Sequence, residues 1–170
     1  MLEEINTESI KNMLKKIPDE LSPVERLILA NESTVQTLLS VLFKVPVEVE
    51  ILKQMDTQSN PSVVLRWSKL IANYSPDCKI TVCLAQSVIT SDNPGFMNGI
   101  REKKMGIGQL IAAKELMTRR RILGFYSDEN VFSRIYQIED VRMTESGGHI
   151  NCLITEVFPK EAFSKASVVI

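Results

Sequence analysis

The spacing of apolar positions changes period along the chain, and each change marks a change of element. Between Leu2 and Ile17, residues Leu2, Ile5, Ile10, Met13, Leu14 and Ile17 recur at helical intervals, which predicts an amphipathic helix within residues 1–20, stopped by Pro18. Ser22-Pro23-Val24-Glu25 then combines an N-cap serine, a proline at the first helical position and a glutamate three residues after the cap, so a helix runs to about Ala30. Asn31 or Ser33 can cap the next one, with Ser33-Thr34-Val35-Gln36 repeating the capping-box spacing and Val35, Leu38, Leu39 and Leu42 on one side. This pair reads as a helical hairpin, and its balanced flanking charge gives no reason to infer DNA binding.

From Val45 the period becomes two. Val47, Val49 and Ile51 alternate with Glu48 and Glu50, as in a half-buried strand. A polar loop at Thr57–Pro61, a strand over Ser62–Leu70, a turn at Asn73–Asp77 and a strand over Lys79–Thr90 follow. Ser91–Gly95 breaks the chain and caps a short helix around Phe96–Arg101, and Gly106-Ile107-Gly108 leads into a helix carrying Leu110, Ile111 and Leu116. Met117–Tyr126 and Val131–Met143 resume strand character, and the Gly147-Gly148 turn returns a last strand that closes at Pro159. The expected fold is a single α+β domain over residues 1–170: helices first, then a mostly antiparallel sheet of about six strands with one helical insertion.

That last strand holds the main anomaly. Alternation places Glu156 on the same face as Ile150, Cys152, Ile154 and Phe158, one carboxylate on an otherwise apolar face. Such a group either meets a cation or faces a cavity. Arg66, following Val63-Val64-Leu65 in another apolar run, is the candidate cation. Together they suggest a pocket reading an anionic group at one end and a hydroxyl at the other, because arginine binds carboxylates bidentately and a glutamate can pair with a hydroxyl.

Composition narrows the alternatives. A net charge of -1 gives no hint of a polyanion partner, and the basic clusters Arg101-Lys103-Lys104 and Arg119-Arg120-Arg121 lack interleaved aromatics, so they read as solvated faces or sheet edges rather than a nucleic-acid surface. Cys78, Cys83 and Cys152 form no C-x-x-C pair, and their odd number argues for reduced thiols rather than a disulfide framework. The single histidine, His149, reads as a turn-flanking residue, so no histidine-rich metal site is expected. Without a visible signal peptide or an apolar run of about 18 residues, the expected location is cytoplasmic, with no membrane partner. Gly106-x-Gly108 can present backbone N–H groups to an anion or simply make a tight turn, and it lacks the third glycine of a dinucleotide fingerprint. Ser33 and Ser87 have no histidine to activate them, and Tyr74 and Asp77 read as turn formers.

Several motifs taken in order resemble the chorismate pyruvate-lyase family, including its archaeal-type branch. Leu27-Ile28-Leu29-Ala30-Asn31-Glu32-Ser33-Thr34 followed by Val47-Glu48-Val49 resembles the start of that domain, and Leu65-Arg66 resembles its carboxylate-binding segment. Met105-Gly106-Ile107-Gly108-Gln109-Leu110 resembles its leucine-glycine turn and Met117-Thr118-Arg119 the strand after it. Leu153-Ile154-Thr155-Glu156-Val157-Phe158-Pro159 is similar to the terminal motif with the essential glutamate. The match covers residues 22–160.

The resemblance implies a six-stranded antiparallel sheet flanked by helices around an enclosed ligand cavity. It also implies a cofactor-free conversion of chorismate, a small-molecule substrate, to 4-hydroxybenzoate and pyruvate. Arg66 and the backbone N–H of Ile107, beside Gly108, would bind the ring carboxylate, Glu156 would meet the 4-hydroxyl, and Ser33 and Thr34 would lie at the substrate. A second arginine of the family pattern corresponds to Gln86, which leaves one cation fewer for the enolpyruvyl carboxylate. The alternative is a non-catalytic binding module, because the same fold resembles the effector-sensing domains of some bacterial transcription regulators. The short stretch ahead of the matching region disfavours a regulator but not an orphan sensor, and the residues leave the oligomeric state open.

Overall fold

A computed structural model describes residues 12, 15–57, 62–141 and 149–166 of the chain. Helices α1 (Pro23–Ala30) and α2 (Val35–Phe43) precede strands β1 (Val47–Asp56), β2 (Ser62–Ser75) and β3 (Cys78–Ser91). Helices α3 (Pro94–Arg101) and α4 (Ile107–Ala113) come next, then β4 (Thr118–Ser127), β5 (Val131–Asp140), β6 (Ile150–Pro159) and α5 (Lys160–Ala166). The six strands form one antiparallel sheet in the order β1-β2-β3-β6-β5-β4. Two meanders, β1-β2-β3 and β4-β5-β6, thus meet where β3 pairs with β6. Helices α3 and α4 carry the chain from the middle of the sheet to its far edge.

The period-two pattern decides which face is covered. Val64, Arg66, Ser68, Leu70 and Ala72 of β2 are buried, as are Ile150, Cys152, Ile154, Glu156 and Phe158 of β6. Intervening residues such as Leu84, Ile135 and Leu153 stay exposed on the other face. Two apolar cores form on the inner face. One packs Leu70, Cys83, Phe132 and Phe158 against α1, α2 and α5. The other packs Val64, Ile89, Ile138 and Cys152 against α3 and α4. Between them runs a band holding Arg66, Ser68, Ser87, Arg134 and Glu156, every one buried.

The helix starts follow local chemistry in part. Ser22 and Glu25 form the reciprocal capping box of α1, with Ser22 N–H donating to Glu25 Oε2 at 2.8 Å and Glu25 N–H to Ser22 Oγ at 3.3 Å. At α2 the expectation fails. Thr34 is the N-cap and its side chain makes no cap bond, while Asn31 Oδ1 accepts from Ser33 N–H and folds the linker on itself. Leu116 lies beyond the end of α4.

Strand pairing also extends two strands past their turn-like residues. Asn73 pairs with Lys79 and Ser75 with Cys78, so only Pro76-Asp77 turns the β2–β3 hairpin. The residues following Pro159 form α5, which the alternation did not signal. Phe163 sits at its inner side, its ring centroid 5.3 Å from Phe43 and 5.2 Å from Phe132, and it shields the stacked Phe132–Phe158 pair. The expected N-terminal helix, the end of the Val131–Met143 strand and the Gly147-Gly148 turn fall largely outside the described residues. His149, just inside them, is exposed.

If α5 closes the first core, Phe163→Ala should lower unfolding free energy by about 3 kcal/mol, as expected for truncating a packed aromatic. Urea unfolding followed by circular dichroism checks this; a change below about 1 kcal/mol would mean that α5 is only draped on the surface.

Candidate functional site

Strand register builds the polar band row by row. Arg66 lies opposite Ser87, Ser87 opposite Ile154, and Ile154 opposite Tyr136. The adjacent row runs Ser68, Ala85, Glu156 and Arg134. Inner-face neighbours on paired strands lie within side-chain reach, and here they bring the Glu156 carboxylate, the Arg134 guanidinium and the Tyr136 phenol into contact, with Arg66 on the same face.

Glu156 meets a cation and also faces a cavity, but the cation is not the one expected from the sequence. Arg134, directly across the strand pair, donates from Nε to Glu156 Oε2 at 2.8 Å, and the Tyr136 hydroxyl donates to Oε1 at 2.9 Å. The pair is almost fully withdrawn from water, with Arg134 1% and Glu156 4% exposed. Arg134 Nη1 also donates to the carbonyls of Ile28 at 3.0 Å and Leu29 at 3.2 Å, and to that of Asn31. It therefore closes the C-terminal end of α1, where carbonyls lack helical partners and a positive charge is favoured. The guanidinium lies 4.8 Å from the Tyr136 ring centroid. Arg134 announces itself in the sequence by the same anomaly as Glu156, a charge in register with Phe132, Tyr136 and Ile138 on a buried face.

Arg66 has a different set of partners. Its Nε donates to Gln54 Oε1 at 2.8 Å, Nη1 to the Met105 carbonyl at 3.1 Å, and Nη2 to the Ile100 carbonyl at the end of α3. Gln54 reaches it because a β-bulge between Ile51 and Lys53 inserts one residue and reverses the alternation of β1, turning Gln54 to the inner face. Burial pulls the Arg66 guanidinium below its ordinary pKa. Three of its five N–H groups are used; the other two have no acceptor among the described residues.

Arg66 and Glu156 nevertheless line one pocket, a cleft with about 550 Å³ of empty space, part of it open to solvent. Thr34, Ile107 and Gly108 line it too, so five sequence-selected residues converge. Ser33 and Gln86 do not. The Ser33 hydroxyl donates to Asn31 Oδ1 at 2.7 Å, and only the Ser33 carbonyl turns inward, toward Arg120. Gln86 pairs with Trp67 on the exposed face, one residue out of register with the pocket; Ala85 and Ser87 are the inward residues of β3. Alternation alone should have separated Gln86 from Ser87, but the bulge that buries both Val82 and Cys83 obscures the phase of β3. Tyr136 and Arg120 complete the walls. The Arg119–Arg121 cluster is thus split: Arg119 and Arg121 engage Glu139 and Gln137 outside, whereas Arg120 points in.

The buried Tyr136 phenol and the Cys83 and Cys152 thiols resist ionisation. Burial, with the nearby Glu156 charge, raises the Tyr136 phenol well above its usual value. Burial pushes the Cys152 thiol up to about 12 and raises Cys83 strongly as well. No protein-family model and no curated protein sequence matches this chain. No helix among the described residues is long and apolar enough to cross a membrane.

Two outcomes follow from the geometry. Arg134→Leu should destabilise the fold by about 3–5 kcal/mol, because it strands a buried carboxylate and uncaps α1; a loss below about 1 kcal/mol in urea unfolding would mean that Glu156 is hydrated. Unfolding free energy should also fall in alkali. The folded thiols and phenol hold protons that the unfolded chain releases from about pH 9 upward, so their contribution is complete below that pH. It is lost as pH rises toward the folded Cys152 value of about 12. Urea midpoints that stay constant between about pH 8 and about pH 10.5 would contradict this.

Proposed function

We propose that the protein is an enzyme of the chorismate pyruvate-lyase type, converting chorismate to 4-hydroxybenzoate and pyruvate without a cofactor. The observation that supports this reading is the convergence of Arg66, Ile107 and Glu156 from β2, α4 and β6 onto one pocket. These are the residues to which the sequence resemblance gives the ring carboxylate and the 4-hydroxyl.

The remaining bonding capacity suits those roles. Arg66 keeps two N–H groups beyond its three protein bonds, enough for a bidentate carboxylate contact. Glu156 accepts one bond on each oxygen, and an ionised carboxylate has room for about four, so a ligand hydroxyl can share it with Tyr136. The reaction breaks the bond between the ring and the enolpyruvyl oxygen, whose electron pair leaves with the enolate of pyruvate, and removes one ring proton to give the aromatic ring; the enolate takes up one proton in turn. The protein's part is to hold the dianion in the reactive conformation and manage that proton.

One observation favours the second reading, a ligand-binding module without chemistry. Both Glu156 oxygens are already engaged, by Arg134 and Tyr136, which suits a fixed recognition group better than a mobile proton acceptor.

Purified protein incubated with chorismate should form 4-hydroxybenzoate and pyruvate in equal amounts, read by absorbance and by coupled lactate dehydrogenase. Glu156→Gln should lower kcat by about a hundredfold or more. Absence of turnover with retained 4-hydroxybenzoate binding would overturn the lyase reading in favour of the binding module.

A further inference from the structure

We propose that Arg120 forms a second anion-binding subsite in this pocket, so that the site selects dianionic ligands, dicarboxylates, over monocarboxylates. The inference builds on the pocket assigned above, but it concerns binding and does not require turnover.

The charges around the pocket motivate it. Glu156 is matched by Arg134 at 2.8 Å. Arg66 and Arg120 also line the pocket, and neither has a carboxylate partner among the described residues. Two cations are therefore left facing a partly desolvated cleft, where each favours an anionic partner. They enter from different sides, Arg66 from β2 and Arg120 from β4, with three strands between. Arg66 is anchored to Gln54 of β1 and to the Ile100 and Met105 carbonyls, whereas Arg120 is anchored to the Ser33 carbonyl and lies over the Tyr136 ring of β5. The two guanidinium groups are thus held by different walls, and each can meet its own carboxylate.

Arg120 is also held in place. Its Nη1 donates to the Ser33 carbonyl, and its guanidinium carbon lies 5.6 Å from the Tyr136 ring centroid. Those contacts orient the group and leave Nε and Nη2 without an acceptor among the described residues. Gly108 makes room for this arrangement. A Cβ there would lie 3.3 Å from Arg120 Nη2 and 3.2 Å from Thr34 Oγ1, closer than most such contacts. The glycine thus lets the guanidinium and the threonine hydroxyl reach the same corner, where both can donate to one carboxylate.

Arg120 thereby supplies the cation that Gln86 does not. In chorismate the ring carboxylate would sit at Arg66 and the enolpyruvyl carboxylate at Arg120, with the hydroxyl at Glu156 between them.

Isothermal titration of the full chain with isophthalate and with benzoate, an unreactive dianion and its monoanion counterpart, tests the subsite. The wild type should bind isophthalate more tightly. Arg120→Gln should weaken isophthalate about ten- to a hundredfold and benzoate less than about threefold, with Arg120→Lys restoring part of the loss and thermal melting showing that both variants fold. If Arg120→Gln fails to fold, Thr34→Val replaces it and should produce a smaller loss confined to isophthalate. Equal losses for both ligands, no loss, or no isophthalate binding by the wild type would each overturn the proposal. Dianion selectivity without chorismate turnover removes the lyase reading and leaves the subsite. Turnover with an unchanged KM in Arg120→Gln does the reverse.

Discussion

The buried ion pair between Arg134 and Glu156 is the constraint on which the rest of the arrangement depends. A carboxylate on the inner face of a central strand costs several kcal/mol unless a well-placed cation and further hydrogen bonds offset its lost hydration. Arg134 provides the charge, Tyr136 the second hydrogen bond, and the cross-strand register of β5 and β6 the geometry. Because Arg134 also binds the last carbonyls of α1, the same group fixes where the helical layer ends and where the linker toward Thr34 begins. One wall of the pocket is thereby tied to its floor.

Arg66 repeats this arrangement at the other end of the band. It binds the Ile100 and Met105 carbonyls, at the end of α3 and in the loop before α4, and so holds the segment that delivers Ile107 and Gly108. Each buried arginine joins one apolar core to the polar band, and the pocket occupies the interval where neither core closes over the sheet. Polar residues that would be a liability inside one continuous core instead mark the boundary between two. Both arginines therefore carry a structural duty beside any ligand contact, and a substitution at either disturbs helix position as well as the pocket.

Much of the architecture was legible in the chain because it rests on short-range rules. The alternation of β2 and β6, the Ser22–Glu25 capping box and the breaks at Pro76 and Pro94 need only neighbouring residues to be interpreted. Apart from the local Asn31–Ser33 turn that displaces the cap of α2, the missed features share one cause: each depends on a partner far along the chain. The bulge that turns Gln54 inward is visible only in the pairing of β1 with β2, and the phase of β3, which separates Ser87 from Gln86, only in its pairing with β2. Helix α5 forms where Phe43, Phe132 and Phe158 give its Phe163 a surface to cover.

Of the site, the sequence by itself determined that Glu156 had to be accounted for, since a charge in phase with Ile154 and Phe158 cannot face water. It also singled out Arg66 and the Ile107–Gly108 turn. Which arginine neutralises Glu156 was decided by tertiary structure alone. Arg66 and Arg134 both sit in phase on apolar strands, and only the sheet order, with β6 between β3 and β5, sets Arg134 beside the glutamate. Alternation along β4 separates Arg120 from Arg119 and Arg121, but only the folded sheet brings Arg120 to the pocket. Side-chain direction along a strand is a local property, but adjacency across a sheet is not.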